Sequence, residues 1–358
     1  MVIRASVIGT ASYYSVNFAR ALRALGPTRV DLVGAAHLGV DDDTLSRHTR
    51  LTRQGFAERF DVRLFERAED LLAETQPQLV CVTAPDRDKA RYASMAIESG
   101  ADVYLSKPMT SSVEHAHQIR AAARAHPDRL VGALNPARFA KAIREAHQRV
   151  QSGELGEVLT ARAWIQHGAA NPTADRRGSA EFDDGQGGIE YSLGLYAADL
   201  LNWFLDARTT PALRTFAEYD NLNSRASGYP WMDTGKAVVR YEQGKLGSMD
   251  IYYSVPCGAP PWEIEVSGRD GILRTTGGNY EGIVWRRAGR SHPRVEPFAP
   301  TRDDTILAAI DHAIIACDQR TPFEMDVEDG YRAIELCDAW TRSAATHQPI
   351  TLPLLPNI

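Results

Sequence analysis

Apolar positions in the first third of the chain form short, almost continuous runs that alternate with longer amphipathic stretches. The runs predict strands at Val2–Ile8, Val30–Ala36, Val62–Phe65, Leu79–Ala84, Val103–Ser106 and Leu130–Leu134. The stretches between them predict helices at Val16–Leu25, Arg67–Thr75, Lys89–Glu98 and Val113–Ala125. A capping box of Ser111 and Glu114 is expected to open the last helix. Apolar strands separated by helices are typical of a doubly wound parallel sheet with helices on both faces.

After a predicted helix at 136–151 the pattern changes to longer runs with twofold alternation and no intervening helices. These runs predict a mostly antiparallel sheet from Val158–Ile165, Leu213–Tyr219, Lys236–Tyr241, Leu246–Tyr253, Glu263–Ser267 and Gly271–Thr275. Helical spacing returns in Gly187–Phe204, Asp304–Cys317 and Glu328–Ala345. We therefore expect an α/β domain over residues 1–135 and an α+β domain over 136–358, whose C-terminal helix returns to the first domain.

Composition narrows the class of partner. The 358 residues are 44% hydrophobic and 24% charged, which is typical of a globular protein. With 40 basic and 46 acidic residues the net charge is −6, so a small-molecule partner is favoured over nucleic acid. Four scattered cysteines and the lack of a membrane-length apolar run predict a cytoplasmic protein without a membrane partner.

The turn after the first predicted strand is a candidate phosphate-binding loop. In a Rossmann domain this turn holds the pyrophosphate of a dinucleotide, usually with the pattern G-x-G-x-x-G. Only the first glycine is present here, in Gly9-Thr10-Ala11-Ser12-Tyr13-Tyr14-Ser15. We predict that residues 9–13 contact a dinucleotide, although a simple strand-to-helix turn without a ligand is the alternative.

The second strand ends without the acidic residue that often binds the adenosine ribose. His37 stands near that position and could stack on adenine or hydrogen-bond the ribose, unless it is simply a surface residue. Arg47 or Arg50 could instead reach a 2′-phosphate. The sequence therefore leaves NAD and NADP both open as the cofactor.

Lys107 follows the fifth predicted strand, in Ser106-Lys107-Pro108. The carboxyl end of a parallel strand faces the ligand cleft of such a sheet, and a proline restricts the turn that directs the lysine. This position predicts a role for Lys107 in cofactor binding and acid/base chemistry, although a surface lysine in a loop would look the same.

Five segments together resemble the Gfo/Idh/MocA oxidoreductases, the group of glucose-fructose oxidoreductase and inositol dehydrogenase. They are Ser106–Pro108 (usually Glu-Lys-Pro in that family), Asn135–Phe139, Ser152–Val158, Gly187–Tyr196 and Ser343–Pro353. The resemblance covers nearly the whole length. It implies hydride transfer between NAD or NADP and a secondary alcohol or ketone of a sugar or cyclitol. It also implies a nicotinamide pocket lined by Pro85 and Asn135, Ala84 as a further cofactor contact, and a homo-oligomer formed through the C-terminal sheet.

The fourth of these segments departs from the family. Most members carry Asp and His four residues apart on one helix face, where this chain has Ser192 and Tyr196. Tyr196 could exchange a proton with the substrate oxygen, helped by Lys107, and the branch with glucose-fructose oxidoreductase also has Tyr there. Lys89 likewise stands where many relatives have His. A Tyr196 that only fills space is the alternative.

Other polar residues follow the first strand of the second domain. Aromatic, amide and carboxylate groups suit a hydroxylated ring, so we predict substrate contacts from Ser192, Tyr196 and the set Trp164, Gln166, His167, Asp183, Asp184 and Gln186. His115 and His117 point to different helix faces, and no metal site is expected. Because the departures cluster in one cleft, a redox-neutral enzyme that uses NAD transiently, or a non-catalytic binding protein, is the competing hypothesis.

Overall fold

The computed structural model describes residues 1–166, 188–222, 225, 232–253, 262–276, 282–298 and 304–356. These residues form two compact units. The first unit contains Met1–Pro136 and Asp304–Tyr331, and the second contains the described parts of 137–303 and of 332–358. Among the described helices, none is both long enough and apolar enough to cross a membrane.

Residues 1–136 fold into a parallel sheet with its helices. In chain order the elements are β1 (Ile3–Ile8), α1 (Tyr13–Ala24), β2 (Val30–Ala36), α2 (Asp42–Thr49), α3 (Arg53–Phe60), β3 (Leu64–Phe65), α4 (Ala68–Thr75), β4 (Leu79–Val82), α5 (Lys89–Glu98), β5 (Asp102–Leu105), α6 (Val113–Ala125) and β6 (Val131–Ala133). The strands are ordered β3-β2-β1-β4-β5-β6. Every adjacent pair is parallel, which confirms the predicted doubly wound sheet.

Burial explains which of these elements the sequence predicted. All four residues of β4 and of β5 are buried, as expected for strands covered on both faces. The helices α2 and α3 were not predicted, because each is short and buries few residues: Leu45 in α2, Phe56 and Phe60 in α3.

The predicted capping box of α6 was wrong by one residue. Ser112, not Ser111, caps this helix by accepting a hydrogen bond from the main-chain nitrogen of His115.

A second, larger sheet follows. After a 3-10 helix (Pro136–Phe139) the elements are α7 (Lys141–Gln151), β7 (Val158–Gln166), α8 (Gly188–Ser192), α9 (Gly194–Phe204), β8 (Ala212–Asp220), β9 (Thr234–Tyr241), β10 (Leu246–Tyr252), β11 (Trp262–Gly268), β12 (Gly271–Thr276), β13 (Gly282–Arg287), β14 (Arg294–Pro297), α10 (Thr305–Gln319), α11 (Val327–Thr346) and β15 (Ile350–Thr351). The described strands are ordered β14-β13-β12-β11-β7-β10-β9-β8-β15. Only β7 and β10 pair in parallel among them, which confirms a mostly antiparallel sheet.

The two faces of this sheet differ. Ala161, Ala163 and Ile165 of β7 are buried on the face that contacts α9. The opposite face carries the alternate residues, including Arg162 and Trp164. In the first unit, α10 packs against α1.

Candidate functional site

Gly9 directly follows β1, at a point where only glycine fits. Its φ is +93°, and a Cβ atom there would lie 2.5 Å from the main-chain nitrogen of Ala84. The Thr83 hydroxyl donates a hydrogen bond to the Gly9 carbonyl. The structure therefore brings together two predicted cofactor residues, Gly9 and Ala84, from the carboxyl ends of β1 and β4. The close contact leaves no room for a side chain at the Gly9 turn.

The helix that follows begins with a polar cap. The Ser12 hydroxyl accepts a hydrogen bond from the Ser15 nitrogen at 3.0 Å, so α1 starts at Tyr13. Tyr13 is 62% exposed. Within the described part of the chain, the buried Thr10 hydroxyl has no hydrogen-bond partner. A helix N-terminus with a glycine turn and an unpaired hydroxyl suits an anionic pyrophosphate. These residues, with Ala11, therefore fit a dinucleotide.

Tyr14 occupies the position of the missing third glycine. It is buried, and its ring packs edge-on against Phe18 with the ring centres 6.1 Å apart. The Lys107 ammonium lies 5.8 Å from the centre of the Tyr14 ring, within reach of a cation–π interaction. The tyrosine therefore connects the first turn to the lysine that follows β5, a contact that the motif comparison did not predict.

His37 follows β2 and is 8% exposed. Burial lowers the pKa of His37 and the charge of Arg53 lowers it further, while Glu66 and Asp42 oppose the shift. The imidazole is thus biased towards its neutral form. Among the described residues its Nδ1 finds no hydrogen-bond partner. A neutral ring with an unused nitrogen can bind a ribose hydroxyl or stack on a base.

Three further predicted residues lie after β4, β5 and β6. Lys107 is 7% exposed and Asn135 is fully buried, while Pro85 is half-buried. The peptide bond between Lys107 and Pro108 is cis. All three follow the carboxyl ends of parallel strands, the edge at which such sheets bind ligands. The predicted cofactor residues of the first unit thus share one edge of its sheet.

In the second unit, Ser192 and Tyr196 do not lie on one continuous helix as predicted. Ser192 ends α8 and Tyr196 is in the first turn of α9, because the helix is interrupted at Leu193. Both side chains are buried. The Ser192 hydroxyl donates to the Tyr253 hydroxyl at 3.4 Å. The prediction that Ser192 and Tyr196 lie on one face of a single helix was therefore wrong.

The predicted substrate residues are not all brought together. Trp164 lies on the sheet face opposite Tyr253, paired across the strands with Asp250 and Glu263. A substrate contact from Trp164 stays a prediction. Gln166, at the end of the same strand, is buried. The predicted residues His167, Asp183, Asp184 and Gln186 lie outside the described residues.

A buried ion pair, not predicted from the sequence, supports α9. The Arg138 guanidinium donates two hydrogen bonds to the Asp199 carboxylate, at 2.8 and 2.6 Å, and both side chains are buried. Arg138 also lies 4.7 Å from the Trp203 ring centre. Asp199 and Trp203 are both on α9, the helix of Tyr196. Arg138 lies in Asn135–Phe139, one of the five segments that resemble the family, so the sequence did mark this region as important.

Family models match both parts of the chain. Residues 3–133 match the "Oxidoreductase family, NAD-binding Rossmann fold", and residues 147–352 match the "Oxidoreductase family, C-terminal alpha/beta domain", of Gfo/Idh/MocA. The chain belongs to the Gfo/Idh/MocA oxidoreductase family. The predicted family and the nicotinamide cofactor are thereby confirmed, and the protein is an oxidoreductase. No group of three or more potential metal ligands occurs among the described residues.

Individual relatives are distant but align over long stretches. The inositol 2-dehydrogenase of Serratia proteamaculans is 23% identical over 83% of this chain and 84% of its own length. Inositol 2-dehydrogenase 3 of Saccharopolyspora erythraea is 22% identical over 99% of this chain and 96% of its own. The WlbA dehydrogenase of Bordetella pertussis, in complex with NADH and UDP-GlcNAcA, superimposes with a TM-score of 0.81 at 20% identity. That superposition covers 99% of this chain and 98% of WlbA, and it shows a shared fold.

Proposed function

We propose that this enzyme transfers a hydride between a nicotinamide cofactor and a secondary alcohol or ketone of a cyclitol or sugar. The observation that carries the proposal is the Gly9 turn packed against the Ala84 main chain, with the buried Lys107 on the same sheet edge. The names of the inositol dehydrogenase relatives support the substrate class.

The cofactor would be held by the residues that fit it. Residues 9–13 bind the pyrophosphate, His37 the adenosine ribose, and Ala84, Pro85 and Asn135 the nicotinamide. When bound, the nicotinamide supplies the hydride acceptor or donor. Lys107 orients the cofactor ribose and the substrate oxygen. The positive charge of Lys107 also stabilises the alkoxide that develops on the substrate oxygen.

Proton transfer is assigned to the second unit. Tyr196 exchanges the proton with the substrate oxygen, and Ser192 hydrogen-bonds a neighbouring hydroxyl of the substrate. His167 and Asp183 are proposed as further substrate contacts. Most of the rate enhancement would then come from positioning the substrate against the cofactor and from proton exchange between Tyr196 and the substrate oxygen.

Cofactor binding and turnover test the proposal separately. NADH and NADPH are titrated while energy transfer from protein tryptophan is recorded, and NAD-dependent oxidation is assayed with myo-inositol and a panel of sugars. We expect Tyr196→Phe to lower kcat by about 10²–10⁴ with NADH affinity unchanged. Failure of both cofactors to bind at millimolar concentration would refute the oxidoreductase assignment for this site. Undiminished turnover of the variant would remove only the role of Tyr196.

A redox-neutral reaction is the second candidate, because Ser192 and Tyr196 replace the family's usual Asp and His. In that case cofactor would remain bound through turnover. Substrate consumption without added NAD, by protein whose absorbance shows bound nicotinamide, would favour this candidate over net oxidation.

We also propose a homo-oligomer formed through the sheet face opposite α9. Val238 and Phe216 are paired neighbours on that face and are 53% and 39% exposed. Apolar side chains exposed side by side are a common mark of subunit contact. Gel filtration should give a species larger than 39.5 kDa, and Val238→Asp should shift it towards that mass. Elution of the unaltered protein as a monomer at micromolar concentration would contradict this.

We further propose a cytoplasmic location, supported by the free thiols of Cys81, Cys317 and Cys337.

A further inference from the structure

Lys89 is a buried cation with a complete set of partners. It is the first residue of α5 and is 1% exposed. Its ammonium lies 2.8 Å from a carboxylate oxygen of Asp86 and donates to the carbonyls of Ser106 at 3.1 Å and Pro108 at 2.6 Å. Because a lysine ammonium has three N–H donors, these three acceptors use all of them.

The two carbonyls are those of the residues on either side of Lys107. The Ser106 nitrogen also donates to the Val82 carbonyl at 2.9 Å, which ties the start of this turn to β4. The Thr110 hydroxyl donates to the Asp86 carbonyl at 3.0 Å, which ties its end to the loop before α5. The main chain around Lys107 is therefore fixed on both sides, and Lys89 makes the contacts nearest to it.

Burying a charged ammonium costs desolvation free energy. Burial lowers the pKa of Lys89, the Asp86 carboxylate opposes this shift, and the charge of Lys107 adds to it. An apolar side chain of similar length would avoid the desolvation cost of the charge. An apolar side chain could not, however, hold two carbonyls and a carboxylate in one arrangement. The contacts therefore indicate a role in geometry rather than in core packing.

We propose that Lys89 is a positioning residue, which fixes the turn at Ser106–Pro108 so that the Lys107 ammonium is aimed at cofactor and substrate. The inference rests on the proposed function, because it assumes that Lys107 is used there. Lys89 itself has its three donors engaged and takes no proton in the reaction. Its effect reaches the reaction only through the placement of Lys107.

A double-mutant cycle separates this role from a general loss of stability. NADH affinity is measured by fluorescence titration for the full-length protein and for K89M, K107M and the double variant, with kcat on myo-inositol where it is turned over. We expect K89M alone to weaken NADH binding or kcat by about tenfold. In the K107M background the same change should have less than about a twofold effect, because the group being positioned is gone. Additive effects of the two substitutions would overturn the proposal.

Hydrogen–deuterium exchange gives a readout that does not depend on activity. Peptides covering residues 104–112 should exchange faster in K89M than in the unaltered protein. Lys245 offers a matched control, since it donates to the Leu205 carbonyl at 3.1 Å and to the Thr210 hydroxyl at 3.4 Å in the second unit. K245M should leave NADH affinity and exchange in that peptide unchanged. Unchanged exchange in K89M would overturn the proposal.

Two further results keep the inference distinct from the proposed function. If K107M binds NADH and turns over normally, the role of Lys107 in the proposed function fails, whether or not K89M loosens the turn. If K89M does not fold, T110V replaces it in the cycle, since it removes only the Thr110–Asp86 hydrogen bond at constant shape. A smaller effect of T110V, again lost in the K107M background, supports the proposal, and an additive one opposes it.

Discussion

Each compact unit contains a buried ion pair next to a proposed catalytic segment, and the two pairs are built differently. In the first unit, Lys89 and Asp86 have side chains that are 2% and 13% exposed. In the second, Arg138 and Asp199 are 1% and 0% exposed. Lys89 directs two of its three hydrogen bonds to main-chain carbonyls, whereas Arg138 makes a two-point contact with a carboxylate.

The difference shows what each pair controls. Hydrogen bonds to carbonyls fix the path of the loop that carries Lys107. A two-point contact between side chains instead fixes the helix that carries Tyr196, because Asp199 is on the same helix. The helix pair is the more deeply buried of the two, so its loss should cost more stability. The loop pair should affect function more than stability.

The largest effect is expected from breaking the helix pair. Arg138→Met removes the guanidinium that binds the buried Asp199 carboxylate, and the free energy of unfolding should fall by about 3–5 kcal/mol. Urea denaturation followed by circular dichroism measures this. The double variant with Asp199→Leu should recover much of the loss, because no buried charge remains. A loss below about 1 kcal/mol in the single variant would mean that the pair contributes little.

Gly9→Ala tests the cofactor turn without touching either ion pair. The added Cβ atom meets the Ala84 main chain at a positive φ, so we expect a cost of about 1–3 kcal/mol and at least about tenfold weaker NADH binding. Gly26 is the matched control, since its φ is +82° but a Cβ atom there would meet nothing within 4 Å. Gly26→Ala should cost about 1 kcal/mol and leave NADH affinity unchanged. Equal NADH affinities of the two variants would count against a cofactor at this turn.

The free energy of unfolding should depend on pH through His147, which lies near Arg138. His147 stacks on Trp203 with ring centres 3.6 Å apart. Burial, followed by the charge of Arg138, lowers its pKa from 6.5 to about 4. The folded protein therefore binds fewer protons on this ring than the unfolded chain does. The contribution of the neutral ring is fully present above pH 6.5 and is lost as the pH falls towards 4.

The His147→Phe variant isolates this contribution. As the pH is lowered from 7.5 to 5, its unfolding free energy should decline less than that of the unaltered protein. His292 is exposed and serves as the control. The unfolding free energy of His292→Gln should match that of the unaltered protein at both pH 7.5 and pH 5. Parallel declines for all three proteins would show that His147 is not protonated on unfolding in this range.

The smallest effect is expected for an exposed pair. Arg63 and Glu74 lie 2.7 Å apart with side chains that are 64% and 49% exposed. Solvent and salt screen such a pair, so Glu74→Gln should change the unfolding free energy by less than about 0.5 kcal/mol. The same urea titration measures it. A change as large as that of Arg138→Met would show that burial does not distinguish these pairs.

Local patterns predicted the fold better than the site. The apolar runs of β1, β2, β4 and β5 identified the parallel sheet, because burial on both faces leaves a strong sequence signal. The two short helices after β2 were missed, because their few buried residues leave little periodicity. The helix over Gly187–Phe204 was predicted as one element, although Leu193 interrupts it. A Cβ atom added at Gly194 would lie 3.6 Å from the Cys337 sulfur, so the start of α9 lies close to a residue far away in the sequence, and no local pattern contains that proximity.

The sequence by itself determined the two kinds of sheet, the edge of the first sheet on which Gly9 and Lys107 lie, and the family. These features follow from periodicity and from residues that are neighbours in the chain, which need no knowledge of distant contacts. Only the tertiary structure decided that Tyr14 contacts Lys107, that Lys89 holds the carbonyls around it, and that Trp164 is on the other sheet face from Tyr253. Such contacts join residues far apart in sequence, and they depend on strand order, register and the direction of each side chain, which periodicity alone does not specify.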